Sequence, residues 1–348
     1  MSYEVEQIDK DRAREDVVRL WRQNLPVAGF CDRKFEWTYE RAPEPPLSPL
    51  VLVDRRDHDG GIVGTAGVAR RGFVIAGEDV SAGLLADLAV DRAHRTALPA
   101  LILVRRCREA ARSQFVLAYG FPNHKAEGVF LRAGYTRLGG MARYVRVLRH
   151  EPYMSRHVRW RRAARAAGRA VDAGASLSRA PLHADAAARY RLVVTETADE
   201  RADLVWRTGA PRYAIVARRS VPFLRWRLAE HPEKRHRFVW LETRRGGAPR
   251  AYAAIADEGG ELAVRDFFGP PEALQPLFER LAGWARAQGA RSLALRFLGD
   301  PRVTAAIRSS GFRPRGERRS VVVDAFAPAH HLVYEPSAWF LTDADEDI

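Results

Sequence analysis

Apolar residues fall along this chain in two rhythms, and the alternation between them predicts mixed strands and helices. Val17, Val18, Leu20 and Trp21 can share one face of a helix over residues 12–23, preceded by a short strand at 3–7. A second helix over 34–41 is stopped by Pro43, Pro45 and Pro46, because proline neither donates to nor fits inside a continuing helix. Strands follow at 50–53, 62–70 and 73–80, the last two expected as a hairpin turning at Arg70, Arg71 and Gly72. Residues 83–90 are almost wholly apolar, the pattern of a central strand buried on both faces. A helix over 99–113, an apolar run at 115–119, a helix opening at Asn123 and an extended stretch over 135–148 complete this part.

Residues 151–188 change composition. Their arginines and alanines favour helix without forming a single apolar stripe, so the segment reads as a linker helix, with a basic docking arm as the alternative. Beyond it the plan returns: strand 189–195, short helix 222–230, strands 238–243, 251–256 and 262–268, helix 272–288, strand 292–297, helix 302–309 and an extended 320–323. Particular residues recur too. Trp37 and Trp226 each precede a proline, Pro43 and Pro232, by six positions. Leu131-Arg132-Ala133-Gly134-Tyr135 is echoed by Ile307-Arg308-Ser309-Ser310-Gly311-Phe312, each a helix closing on glycine before an aromatic opens the next strand. From tryptophan to that glycine is 97 residues in one half and 85 in the other. The expected organisation is two duplicated α/β domains, 1–150 and 189–348, joined by the Arg/Ala-rich linker.

At 348 residues the chain is long enough for two cores, and 47% hydrophobic with 29% charged residues is an ordinary globular balance. No stretch reaches the roughly 18–20 apolar residues of a membrane-spanning helix. The charged start MSYEVEQIDKDRARED lacks the apolar centre of a signal peptide. Cys31 and Cys107 make neither a disulfide framework nor a metal-binding array, and the His330-His331 pair has no companion ligands, so no metal is expected. A reducing, cytoplasmic setting is the expectation. The net charge of +14 comes from arginine, with lysine only at Lys10, Lys34, Lys125 and Lys234. Such a surface draws phosphates, acidic carrier proteins and anionic membranes, and a generic basic surface is expected ahead of a dedicated nucleic-acid site.

The chemistry concentrates around residues 83–110. A buried strand ends at Val90, a polar loop follows, and a helix opens near Leu98 and Pro99. That arrangement points backbone N–H groups and the positive end of a helix dipole at whatever lies above the loop, which suits the pyrophosphate of a nucleotide-like cofactor. An ordinary strand-loop-helix junction is the plain alternative. Asp87 is a lone carboxylate inside the apolar strand and a candidate base, since burial raises a carboxyl pKa; pairing with an arginine is the structural alternative.

The stretch Arg95-Thr96-Ala97-Leu98-Pro99-Ala100 resembles the acyl-CoA loop Q/R-x-x-G-x-G/A of the GNAT family of N-acetyltransferases. Arg95 and Ala100 match, Leu98 stands for the central glycine, and Pro99 removes an amide donor. A second GNAT motif, N-x-x-A-x-x-x-Y-x-x-x-G-F, is similar to Asn123 through Tyr135, with Ala126 in place and Phe130 where a tyrosine acid is common. In the second half Asp266-Phe267-Phe268-Gly269-Pro270-Pro271 has no such loop. The chain thus looks like the bacterial tandem GNAT-type proteins, in which each domain is a mixed, mainly antiparallel twisted sheet flanked by helices.

The resemblance implies acetyl-CoA or another acyl-CoA as co-substrate and a small-molecule or peptide amine as acceptor. Leu88, Ala89 and Val90 would supply the carbonyl-binding N–H, and Arg95, Thr96, Ala97, Leu98, Ala100, Asn123, Ala126 and Phe130 would hold the cofactor. Asp87 would act as base, and Tyr119, with His124 as an alternative, as the acid that Phe130 cannot be. The acidic tail, Asp343, Asp345, Glu346 and Asp347, either folds into the acceptor site or is solvated. Two other functions stand beside this one. A lapsed member would serve as a scaffold, and a transferase fed by an acyl-carrier protein or aminoacyl-tRNA would dock it on the arginine-rich linker.

Overall fold

The computed structural model describes residues 3–26, 28–56, 61–151, 161–326 and 328–347. After β1 (Tyr3–Gln7) come α1 (Lys10–Asn24), whose N-cap Asp9 accepts from the Asp11 N–H, and α2 (Cys31–Tyr39). The predicted stripe of Val17, Val18, Leu20 and Trp21 is buried in one cluster with Phe35 and Tyr39 of α2.

Strands β2 (Leu50–Asp54), β3 (Ile62–Ile75) and β4 (Glu78–Val90) form an antiparallel meander. The corner expected at residues 70–72 is not a turn, and β3 runs through it. The hairpin turns instead at Ala76 and Gly77, with φ of 50° and 88°, the pair of positive angles that a tight two-residue hairpin needs. Arg71 misled the reading because its charge is buried: its guanidinium lies 3.5 Å from the Phe223 ring centroid and 3.3 Å from Asp345. Residues 83–90 are therefore the second half of one 13-residue strand.

Next follow α3 (Ala97–Arg112), β5 (Leu117–Gly120), α4 (Glu127–Arg132), β6 (Thr136–Val147) and α5 (Arg161–Arg189). The linker segment is thus helical over its described part. Arg179 of α5 ion-pairs with Glu279 at 2.6 Å, while the side chains of Arg161, Arg162 and Arg165, and residues 152–160, lie outside what is described.

The C-terminal half contains β7 (Tyr190–Thr195), α6 (Arg201–Gly209), β8 (Ile215–Ala217), α7 (Val221–Leu224), β9 (Arg237–Thr243), β10 (Pro249–Glu258), β11 (Glu261–Phe268), α8 (Pro271–Ala287), β12 (Ser292–Gly299), α9 (Pro301–Ser309), β13 (Arg313–Pro314), β14 (Arg319–Ala325) and β15 (Trp339–Leu341). Of these, α6, β8, β13 and β15 have no counterpart in the sequence reading.

The two halves exchange strands. β14 lies between β5 and β6, completing the sheet of the N-terminal half. In return, residues of β6 pair with β12 and β13 of the C-terminal half. β8 and β15 bridge β3 to β12, so the pairings run from β6 through β14, β5, β4, β3, β8, β15 and β12 back to β6. Trp37 and Trp226, matched in the sequence, meet here. Their rings stack at 4.2 Å and 13°, and each indole N–H donates to the other's carbonyl, at 2.8 and 2.7 Å. Such a reciprocal contact is what a two-fold relation produces.

Candidate active site

β4 and β5 pair in parallel only from Ala82–Leu117 to Leu85–Gly120. Just beyond, β4 carries one extra residue: Thr65 faces Ala89 and Gly67 faces Ala86, leaving Ala66 opposite both Asp87 and Leu88. This is a β-bulge, which frees backbone groups from the ladder and re-aims side chains. Asp87 holds a φ of 59° there, an uncommon angle for a residue with a Cβ and one often found where structure serves a site.

The gap so opened is a cleft of about 360 Å³. Its apolar wall comes from Ala66, Leu85, Leu88, Val104, Cys107 and Phe130. Cys107 is fully buried, and burial pushes its thiol pKa up to about 12, so it serves as a small apolar group. Asn123 and Ala126 close one end; the Asn123 side chain accepts from the N–H groups of Lys125 and Ala126, both at 3.0 Å, and so fixes the turn into α4. Arg319, Glu346 and Asp347 stand on the other side.

The acidic tail is folded in, not solvated. Asp343 pairs with Arg265 at 2.9 Å and Arg296 at 3.4 Å. Asp345 takes Arg71 at 3.3 Å and the fully buried Arg219 at 2.7 Å. Glu346 pairs with Arg319, and Arg227 donates to the carbonyls of Ala344 and Glu346. Asp347 then arrives at the bulge, where it accepts from the Asp87 backbone N–H.

Asp87, Arg319, Glu346 and Asp347 therefore line the cleft, with Lys34 and Arg227 behind them. Lys34 and Asp87 form a buried ion pair at 2.6 Å, with the ammonium 5.2 Å from the Trp21 ring centroid. Burial, and secondly the nearby Asp87 carboxylate, raise the Asp347 pKa to about 6 against the opposing Lys34 and Arg227 charges. Burial raises Glu346 to about 7 although Arg319 counteracts it. Both carboxyls change charge close to neutral pH, the range a proton-transfer group needs.

The structure brings together Asp87, Leu88, Asn123, Ala126 and Phe130 from the sequence reading, but it sets Tyr119 apart. Its side chain lies on the other face of β5, packed on Phe73 and Trp339, where its hydroxyl donates to the Asp345 carbonyl at 3.2 Å. Burial pushes its pKa further up. Ala89 and Val90 are buried beyond the bulge and do not line the cleft. Arg95 ties the loop down, donating to Asn24 at 2.6 Å and to the Val90 carbonyl at 3.3 Å. Thr96 is the N-cap of α3, Ala97 its first residue, Leu98 is 51% exposed and Ala100 is half-buried. His124 is exposed.

Lys34, Arg227 and Arg319 were missed altogether. Lys34 left a signal in the sequence, as one of four lysines in an arginine-dominated chain. Among the described residues no group of His, Cys, Asp or Glu is placed to hold a metal ion, and no helix is long and apolar enough to cross a membrane.

No family model and no curated protein matches the sequence. Solved structures do match in shape. A protein of Enterococcus faecalis V583 described as a probable N-acyltransferase aligns at TM-score 0.63 and 11% identity, over 94% of this chain and 73% of that one. A GCN5-related N-acetyltransferase of Anabaena variabilis aligns at 0.63 and 9%, over 93% and 73%. Saccharomyces cerevisiae N-myristoyltransferase with bound myristoyl-CoA aligns at 0.54 and 12%, over 92% and 82%. At such identities the likeness is one of fold: this chain shares with these acyltransferase structures an α/β fold, a mixed sheet with flanking helices.

Proposed function

We propose that the chain is a tandem GNAT-type N-acyltransferase, two duplicated units with exchanged strands, moving an acyl group from acyl-CoA to an amine in the cleft of the N-terminal half. The observation that carries this is the β4 bulge at Asp87 and Leu88, set where β4 and β5 part over an apolar cleft. A thioester laid in that wedge would place its acyl chain against Ala66, Val104, Cys107 and Phe130. Its carbonyl would face the bulge amide of Leu88, a backbone donor that needs no reorganisation as charge develops. The pyrophosphate would run toward the N-terminus of α3, where Ala97, Leu98 and Ala100 offer amides and Pro99 does not.

The acceptor nitrogen attacks the carbonyl carbon, the C–N bond forms, the C–S bond breaks, and CoA leaves as thiolate. The proton lost by the amine goes to Asp347, whose pKa of about 6 leaves it mostly ionised at neutral pH. Phe130 offers no acid and Tyr119 faces away, so the thiolate takes its proton from solvent. Asp87 acts through its backbone and its charge: engaged by Lys34 at 2.6 Å, it holds up the pKa of Asp347.

A lapsed, scaffold role is the second reading, favoured by Asp347 itself sitting on a bulge amide. Calorimetric titration with acetyl-CoA and longer acyl-CoAs separates the two; no heat at millimolar ligand would sink the transferase. With binding in hand, Asp347→Asn should cut turnover about 10²–10⁴-fold while acetyl-CoA affinity stays the same. The wild-type rate should climb through about pH 6, and Asp87→Asn should move that limb to lower pH. An unmoved limb would remove both carboxylates from proton transfer.

A further inference from the structure

On the far side of Glu346 and Asp347 lies a second cavity, of about 410 Å³, sharing Pro26, Arg319 and these two acids with the acyl cleft. Its floor is built by three adjacent strands. Arg143 of β6 stands directly opposite Arg296 of β12, and both line the cavity. Like charges opposite one another across a ladder destabilise it, so the pair asks for an anion.

Inside the protein that request is only partly met. Glu261 takes Arg143 at 2.5 Å, but among the described residues Arg296 pairs with Asp343 alone, at 3.4 Å, and shares it with Arg265. Arg265 also shares Glu258 with Lys234. Arg143, Arg265, Arg296 and Lys234 thus share three carboxylates, Glu258, Glu261 and Asp343, while Arg227 and Arg319 stand with Glu346, Asp347 and the exposed Glu233 elsewhere in the lining. Two histidines facing the same space report the field. Burial first, and then the neighbouring cations, Arg227 foremost for His231 and Arg265 for His236, hold His231 down to about 3 and His236 to about 4.

Resting on the transferase proposed above, we infer that this cavity is the acceptor pocket and that it takes amines carrying a second, anionic group, a carboxylate or phosphate, seated on Arg143 and Arg296. The amine end then meets Glu346 and Asp347 at the mouth of the acyl cleft. Planar guanidinium forks match both oxyanions, which is why arginine is the residue for this task. Polyamines and neutral amino sugars lack the group that the floor is charged to receive.

Calorimetry on the full chain tests this with matched probes: phosphoethanolamine against ethanolamine, and 4-aminobutyrate against 4-aminobutyramide, with spermidine as the polycation. The anionic member of at least one pair should bind tenfold or more tightly than its partner, and which pair responds separates phosphate from carboxylate. Arg296→Gln should erase that preference while acetyl-CoA affinity is retained, and Arg143→Gln repeats the measurement should the first variant fold poorly. Equal binding within both pairs, no binding of any probe, or an undiminished preference in the variants overturns the inference. Acetyl-CoA binding by the same sample then shows that only the acceptor assignment has failed; its absence would mean that the transferase reading has failed too.

Discussion

The two halves carry the same device and treat it oppositely. In β4 the extra residue falls at Asp87–Leu88, just past the last parallel pair with β5. In β11 it falls at Arg265, just past the last parallel pair with β12, since Ala254 faces Asp266 while Ile255 faces Val264. Around the first bulge the neighbours are small or thin, among them Ala66, Cys107 and Ala126, and a cleft remains. Past the second, Phe267, Phe268 and Phe340 pack on one another at 5.4–5.5 Å, and Asp343 bridges Arg265 to Arg296. The helix after the second bulge also opens on Pro270 and Pro271, which have no amides to offer an anion. A bulge in this position is thus permissive and nothing more; the side chains packed beyond it decide whether an apolar cleft opens, as at Asp87, or aromatics close that face and leave only the charged cavity beside Arg265.

The filled half is held by charge as much as by aromatics, which gives the largest expected effect. Asp345 faces Arg219 and Arg71, all three buried, and Arg219 also meets Asp266, itself bonded by Tyr252 and Thr342. Asp345→Ala leaves two buried guanidinium groups short of a partner, which should cost about 3–5 kcal/mol. Urea denaturation followed by circular dichroism measures it. A loss under 1 kcal/mol would mean that water already screens these arginines and that the packing of the aromatics alone closes the second half.

The open half can be made to imitate the filled one. Ala126 lines the cleft and is half-buried, so Ala126→Phe puts a ring where the acyl chain would lie with less strain than a fully packed position imposes. Acyl-CoA affinity should fall about 100-fold, near 2.7 kcal/mol, with the denaturation midpoint little changed. Unaltered affinity would place the acyl group elsewhere.

Much of this contrast was legible in the sequence and some was not. The helical stripe of α1, the apolar second half of β4 and the Asn123 turn follow from spacing and side-chain chemistry, because local rules dominate there. Arg71 was read as a surface corner because a charge buried by a partner 274 positions away carries no local mark. Strand exchange is invisible for a related reason: β14 has the same apolar run, Val321, Val322 and Val323, whether it pairs with β5 or within its own half. The tail reads either as folded into the acceptor site or as solvated, because its carboxylates find their partners only in three dimensions. The two matched tryptophans did leave a trace, since the reciprocal contact they make uses the same residue type on both sides.

The smallest effect concerns the two carboxylates that the tail delivers, four residues apart, one to each bulge. Asp343 lies between Arg265 and Arg296, whereas Asp347 lies beside another acid, Asp87, and its folded pKa rises from 3.8 to about 6. A group with a raised folded pKa binds more protons folded than unfolded, so its contribution favours the folded state below about pH 4 and is lost as pH climbs to about 6. The loss should be about 2 kcal/mol. Asparagine at 347 cannot titrate, so the stability of wild type relative to Asp347→Asn should fall by that amount between pH 4 and pH 7, as read from paired urea titrations. Parallel curves for wild type and Asp347→Asn would mean that the carboxyl at the open bulge is solvated, and the contrast between the halves would then rest on packing alone.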